Sequence, residues 1–190
     1  MRITLGGCYS RLMPTAPLLI VMRHAKTNVS SPTGDDFSRA LTPRGSADAL
    51  AMGEWLHAQH PDLARIVSST ALRARQTVAA VTLPWGETPP EIRWDPALYL
   101  AELDTLLGAA ESLREAPTLF VGHNPGLEDL VRHLVGDLHA RIGSPKIMPT
   151  SAAYVLELST RRGRPRPGSA VLRAHMRPKL LAAGTATDDD

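Results

Sequence analysis

The sequence predicts an α/β fold: a three-layer sandwich with a mainly parallel central sheet and helices on both faces. Three observations predict it. Residues 18–22 form a continuous apolar run of strand length, the pattern of a strand covered on both faces. Segments of helical period separate this run from further short strands, and that alternation selects a parallel sheet with right-handed crossovers. Finally, His24, Ser68 and His123 each fall at or just past the carboxyl end of an expected strand, the edge where such sheets hold ligands.

Residues 1–16 show no steady period and are expected to form a flexible N-terminal extension, with Met13 a second candidate start. One domain is expected over 17–181 and a disordered tail over 182–190. Thr42 supplies an N-cap and Pro43 a proline at the first helical position; Ala47, Leu50, Ala51, Trp55 and Ala58 follow at helical spacing until His60-Pro61. Residues 64–68 read as a second strand, with Ser69 and Thr70 as caps for a helical run to about Val81. A turn-rich connection covers 84–90 and a short strand 91–94. Leu103, Leu106, Leu107, Ala110 and Leu113 then form a helical stripe. Residues 118–121 are the next buried strand, and Leu127, Leu130, Val131 and Leu134 mark the helix after Gly122-His123-Asn124-Pro125. Residues 152–158 and 170–175 read as a hairpin around an Arg/Pro/Gly loop.

A chain of 190 residues with 43% hydrophobic content suits one domain, since that length buries roughly 70% of its unfolded surface. A single cysteine, Cys8, excludes an intramolecular disulfide framework and fits a reducing, cytoplasmic setting. Leu5-Gly6-Gly7-Cys8 resembles a lipoprotein cleavage box but has no apolar stretch before it. No apolar run approaches the ~20 residues a membrane helix needs. The formal charge of +2 is too small to indicate nucleic acid, and the basic cluster from Arg161 to Arg166 reads as a solvated loop. His57, His60, His133, His139 and His175 lack carboxylate or cysteine partners at metal-site spacing, so no metal is expected. Phosphate-binding GxxxxGK[ST] loops and GxSxG elbows are absent from the sequence.

The three polar strand ends suit phosphoryl transfer, which needs a nucleophile, cations for the equatorial oxygens, and positioning. A neutral imidazole fits the first role. Arginine fits the second, because its fork donates parallel hydrogen bonds and stays charged. Arg23 adjoins His24, and Arg73 lies about one turn inside the helix after Ser68, where the helix N-terminus also favours an anion. His123 is placed to donate a proton to an oxygen of the group transferred.

Four segments in order, Met22-Arg23-His24-Ala25-Lys26, Arg39-Ala40-Leu41-Thr42-Pro43-Arg44-Gly45, 68–77 (SSTALRARQT) and Val121-Gly122-His123-Asn124-Pro125-Gly126, resemble the histidine phosphatase superfamily. SixA-type phosphohistidine phosphatases are the nearest branch. The likeness spans roughly residues 18–181, and it implies a phosphoglycerate mutase-like fold that uses no metal or organic cofactor. It also implies His24 as nucleophile, Arg23 and Arg73 as phosphate clamp, His123 as the second pocket histidine and Arg39 as a further phosphate ligand. The family's proline stands here as Ala40, which predicts a less rigid loop around Arg39.

The leaving group decides the substrate. An alkoxide leaves poorly without an acid, and Glu102 is the candidate acid; its other role is a charge near a helix start. A site without that acid fits phosphohistidine on a protein, whereas Glu102 in the pocket would fit a small phosphoester. A non-catalytic phosphate-binding module is the third reading, and the loops around 28–38 and 139–150 are expected to wall the pocket.

Overall fold

The structure is a computed structural model that describes residues 17–111, 116–136, 142, 146–159 and 163–184. The expectations for residues 1–16, Leu113, His139, Arg161, Arg162 and the tail from 185 onward lie outside those residues. Its elements are β1 (Leu18–Arg23), α1 (Pro43–Gln59), β2 (Arg65–Ser68), α2 (Leu72–Thr82), β3 (Glu91–Trp94), α3 (Leu103–Glu111), β4 (Thr118–Gly122), α4 (Gly126–Val135), β5 (Ala153–Leu158), β6 (Ala170–Met176) and α5 (Pro178–Gly184). Helix α5 carries through residues 182–184, which the sequence had given to the tail. Short 3-10 turns at Leu83–Trp85 and Pro96–Leu98 were not foreseen; each begins where proline presets the backbone of a tight turn.

Among the described residues the strands form one sheet in the order β3-β2-β4-β1-β5-β6. β1, β2, β3 and β4 pair in parallel, while β5 runs antiparallel to both β1 and β6, so the expected hairpin forms an edge of a mainly parallel sheet. Successive side chains of a strand point to opposite faces. Accordingly Leu19 and Val21 of β1 join Phe120, Leu106, Leu130 and Val131 in the core under α3 and α4. Ile20 and Met22 join Leu119, Val121, Met52, Leu56 and Val78 under α1 and α2. Each fully buried aliphatic side chain here contributes about 1.5–3 kcal/mol, which explains why both faces of β1 and β4 are apolar: each supports a separate layer.

Local chemistry sets the helix starts that matter for the cleft. Thr42 caps α1 as expected, its side chain accepting from the Gly45 amide at 3.0 Å with Pro43 in the first turn. Helix α2 departs from expectation, because its N-cap is Ala71 and no side chain caps it. Ser69 instead turns its hydroxyl inward, toward His123.

Two glycines let backbones meet close to the strand ends. A Cβ on Gly45 would lie 2.0 Å from the Lys26 carbonyl oxygen, and one on Gly126 would lie 1.9 Å from that of Ala101. Helix α1 therefore presses on the segment leaving His24, and α4 on the segment leaving Tyr99. No side chain fits between backbone and carbonyl at those separations. Gly126→Ala is expected to cost about 2–3 kcal/mol, because the backbone must shift rather than a side chain rotate. In thermal unfolding that corresponds to a loss of roughly 4–12 °C for a chain of this size; a loss below 1 °C would show that the contact is not as tight as described.

Candidate active site

The strand ends converge as the sequence implied. The backbone N–H of His24 donates to Gly122 at 3.0 Å, extending the β1–β4 ladder one residue beyond the strand. Ala25 donates its N–H to Thr77 Oγ1 at 3.0 Å, and that hydroxyl donates to the Arg73 carbonyl at 2.7 Å, so α2 grips the turn after His24. Within this turn His24 Nδ1 lies 2.8 Å from the carbonyl oxygen of Ala25. A carbonyl oxygen only accepts, so Nδ1 carries the ring hydrogen and the neutral ring presents a bare lone pair at Nε2. Burial is the main cause that brings the His24 pKa down to about 4; the bond to Ala25 opposes it, and Arg73, Arg23 and Arg39 add to it.

His123 follows β4, and its ring centroid lies 5.1 Å from that of His24 and 5.4 Å from that of Tyr99. Its Nε2 is 2.8 Å from Ser69 Oγ, while Nδ1 is buried without a partner. Burial, then His24 and Arg73, lower its pKa to about 3. Both imidazoles are therefore neutral at neutral pH.

Arg23, His24, Arg39, Arg73 and His123 line one cleft of about 440 Å³, together with Lys26, Thr27, Asp36, Leu100, Asn124 and Thr150. Arg73 is the second residue of α2 rather than a turn inside it, and its side chain is only 3% exposed. Its Nη1 donates to the Asp36 carbonyl at 2.5 Å and its Nη2 to Asp36 Oδ2 at 2.7 Å. Arg39 Nη1 donates to Asp36 Oδ1 at 2.9 Å, and the Tyr99 hydroxyl donates to Oδ2 at 2.9 Å. Burial raises the Asp36 pKa, but hydrogen bonds from Arg39, Tyr99 and Arg73 outweigh it and hold the group at about 2, so the carboxylate is ionised. Arg23 donates through Nη1 to the Met148 carbonyl at 3.1 Å and keeps a buried Nε without a partner. With both histidines neutral, the cationic side chains outnumber the one carboxylate, and the cleft suits an anion.

Hydrogen bonds hold the Arg39 loop, in place of the rigidity that proline would give at Ala40. Asn28 donates to the Ala40 carbonyl at 3.0 Å and Leu41 to Gln76 Oε1 at 2.8 Å. Arg39 itself donates to the Asn28 carbonyl and to Thr27 Oγ1. Glu102 is exposed and does not line the cleft; its backbone carbonyl accepts the Leu106 amide at the start of α3. Arg75 lies over the Trp94 ring at 5.2 Å, outside the cleft. Among the described residues no cluster of His, Cys, Asp or Glu could hold a metal ion.

Asp36, Tyr99 and Ser69 are the site residues that the sequence did not single out as such. Asp36 lies within the expected wall at 28–38, but nothing in its local pattern says that it reaches Arg73 across 37 positions. Ser69 read as a helix cap because serine before a helix ordinarily caps it.

Fold and cleft together define an α/β protein with an anion pocket built around an unprotonated imidazole. A family model described as histidine phosphatase superfamily (branch 1) matches residues 19–105. An uncharacterised protein of Mycobacterium leprae is 32% identical over 150 residues, covering 74% of this chain and 89% of that protein. Another, from Mycobacterium tuberculosis, is 34% identical over 158 residues, covering 80% of this chain and 96% of that one. A structure described as a candidate SixA phosphohistidine phosphatase from Agrobacterium tumefaciens superposes with a TM-score of 0.72 at 28% identity, covering 86% of this chain and 99% of that one. A protein histidine phosphatase SixA complexed with tungstate shares the fold, with a TM-score of 0.70 at 24% identity, covering 86% and 99%. The chain belongs to branch 1 of the histidine phosphatase superfamily.

The buried histidines predict a pH dependence of stability. Unfolded, each takes up a proton near pH 6.5; folded, His24 resists until about 4 and His123 until about 3. Below pH 6.5 the unfolded chain thus binds more protons, and stability falls as pH falls toward 4. Urea denaturation at intervals between pH 7 and 4 should show this decline, and it should be smaller in His123→Gln. An equal decline in the variant would remove His123 as its source.

Proposed function

We propose that the protein is a phosphatase that removes the phosphoryl group from phosphohistidine on a protein through a covalent intermediate on His24. The observation that carries this reading is the His24 ring, held with Nδ1–H on the Ala25 carbonyl and Nε2 bare in a cleft lined by Arg23, Arg39 and Arg73. The Nε2 lone pair attacks phosphorus, the P–N bond of a substrate ring that carries a hydrogen on its other nitrogen breaks, and that ring departs as neutral imidazole with the electron pair. Nucleophile and leaving group are the same kind of nitrogen, so the transfer is nearly balanced and needs no acid. Water then attacks phosphorus, the bond to Nε2 breaks, and phosphate leaves with the hydrogens of the water, one lost to solvent. The arginines and the His123 ring would hold the three oxygens as charge shifts among them.

The choice of phosphohistidine over an alkyl phosphate follows from the carboxylates. An alkoxide needs a protonated acid beside it. Among the described residues Asp36 is the carboxylate lining the cleft, and it is ionised and bound by Arg39, Arg73 and Tyr99. Glu102 stands outside. Neither is placed to act. The expected partner is therefore a phosphorylated protein rather than nucleic acid or membrane; among the described residues no helix is long and apolar enough to cross a bilayer. A single cysteine fits a cytoplasmic setting. The catalytic domain is proposed to span residues 17–181, and α5, which packs on α1, runs beyond that bound to Gly184.

Initial rates on a phosphohistidine protein and on a series of alkyl phosphates test this reading. Phosphohistidine is expected to be favoured, Glu102→Gln to match wild type on every substrate, and His24→Ala to abolish turnover. Arg73→Ala should lower kcat/KM by about 10²–10³-fold, the usual loss of one charge-stabilising donor. Preference for alkyl phosphates together with a large loss in Glu102→Gln would assign the protein to small phosphoesters. Tight phosphate binding without turnover on any substrate would make it a binding module.

A further inference from the structure

Ser69 lies between β2 and α2, is fully buried, and is tied by its backbone N–H to the Val121 carbonyl of β4 at 3.0 Å. Its Oγ has two neighbours among the described residues: the Ala71 N–H, which donates to it at 3.3 Å, and His123 Nε2 at 2.8 Å. The hydroxyl has a single hydrogen to place, and Ala71 can only donate. Two arrangements of the Ser69–His123 bond exist, and they differ in what they leave unsatisfied.

If His123 donated from Nε2, the serine hydrogen would have no acceptor in a site that water does not reach, and Nδ1 would carry a lone pair buried without a donor. Each such orphan gives up its hydration and gains no hydrogen bond in return. If Ser69 donates to Nε2, the hydroxyl and Nε2 are both satisfied, and one group remains open: an N–H at Nδ1, the atom that is buried without a partner. A spare donor is what an anion cleft can use, since phosphoryl oxygens accept. A spare lone pair there would repel them.

We infer that Ser69 is a positioning residue whose hydroxyl donates to His123 Nε2, which fixes the ring hydrogen on Nδ1 as a donor for an oxygen of the bound phosphoryl group. The two histidines then carry their hydrogens on the same atom for opposite purposes: His24 works through its bare Nε2, His123 through its Nδ1–H. The low pKa of His123 agrees with a neutral ring, in which the position of one hydrogen decides whether it donates or repels. The tautomer stands on Ser69 and His123 alone, whereas its use on a phosphoryl group rests on the function proposed above.

Nitrogen NMR of the full chain labelled in its histidines tests both parts. The His123 resonances, identified by their loss in His123→Gln, should show a protonated Nδ1 and an unprotonated Nε2 at neutral pH. Ser69→Ala should mix or reverse that pattern at His123, leave His24 protonated on Nδ1, and lower kcat/KM on a phosphohistidine protein by about 10- to 100-fold. Ser69→Cys, a weaker donor of similar size, should fall between the two in both measurements. A wild-type His123 protonated on Nε2 would overturn the inference, as would an unchanged tautomer in Ser69→Ala. A wild-type spectrum as expected, with no turnover on any phosphorylated substrate, would uphold the tautomer and remove the phosphatase reading.

Discussion

The hydrogen bond from His24 Nδ1 to the Ala25 carbonyl, 2.8 Å long, is the interaction on which the site depends. It decides which nitrogen of the ring is free, and much of the surrounding fold fixes its geometry. The ladder between β1 and β4 sets the height of His24 through the Gly122 carbonyl. Thr77 of α2 holds the amide of Ala25, and the start of α1 meets the carbonyl of Lys26 without a side chain between them. Two helices from one layer and one strand from the sheet thus converge on a turn of a few residues. A neutral imidazole needs that support, because a free one interchanges its tautomers and exposes either nitrogen.

Burial first, and charge second, explain why the ring stays neutral. Burial and nearby arginines make a proton on either histidine costly, so the pocket holds its positive charge on guanidinium groups and leaves nitrogen lone pairs unprotonated. Asp36 moderates that charge. It sits on the rim, 46% exposed, and joins Arg39, Arg73 and Tyr99, so like charges that would repel one another share a counter-charge. Like Arg39 it comes from the long connection between β1 and α1, and its bonds to Arg73 on α2 tie that wall of the cleft to its floor.

Much of this was legible in the sequence, for physical reasons that differ by element. β1 and β4 are buried on both faces, so their apolar runs are unbroken and their ends easy to find; His24 and His123 follow directly. The N-terminus of α1 was legible because a threonine cap and a proline are local signals. Arg73 was legible through the segment 68–77 that resembles the family, whereas its depth in α2 was not, because no side-chain cap marks where that helix starts. Asp36 was not, because its partners lie across the cleft and no local pattern encodes that contact. Ser69 was misread for a related reason: its neighbours in the chain suggest a cap, whereas its hydroxyl answers to a histidine 54 positions away. The reach of α5 to Gly184 was missed as well, since a short helix after a strand carries little periodic signal.

Trapping the phosphorylated protein by rapid acid-free quench, followed by phosphorus and proton NMR of the denatured chain, locates the nitrogen that carries the phosphoryl group. A neutral His24 with its hydrogen on Nδ1 predicts phosphorus bonded to Nε2 of His24, and no such adduct in His24→Ala. Phosphorus on Nδ1 of His24, or on His123, would contradict it.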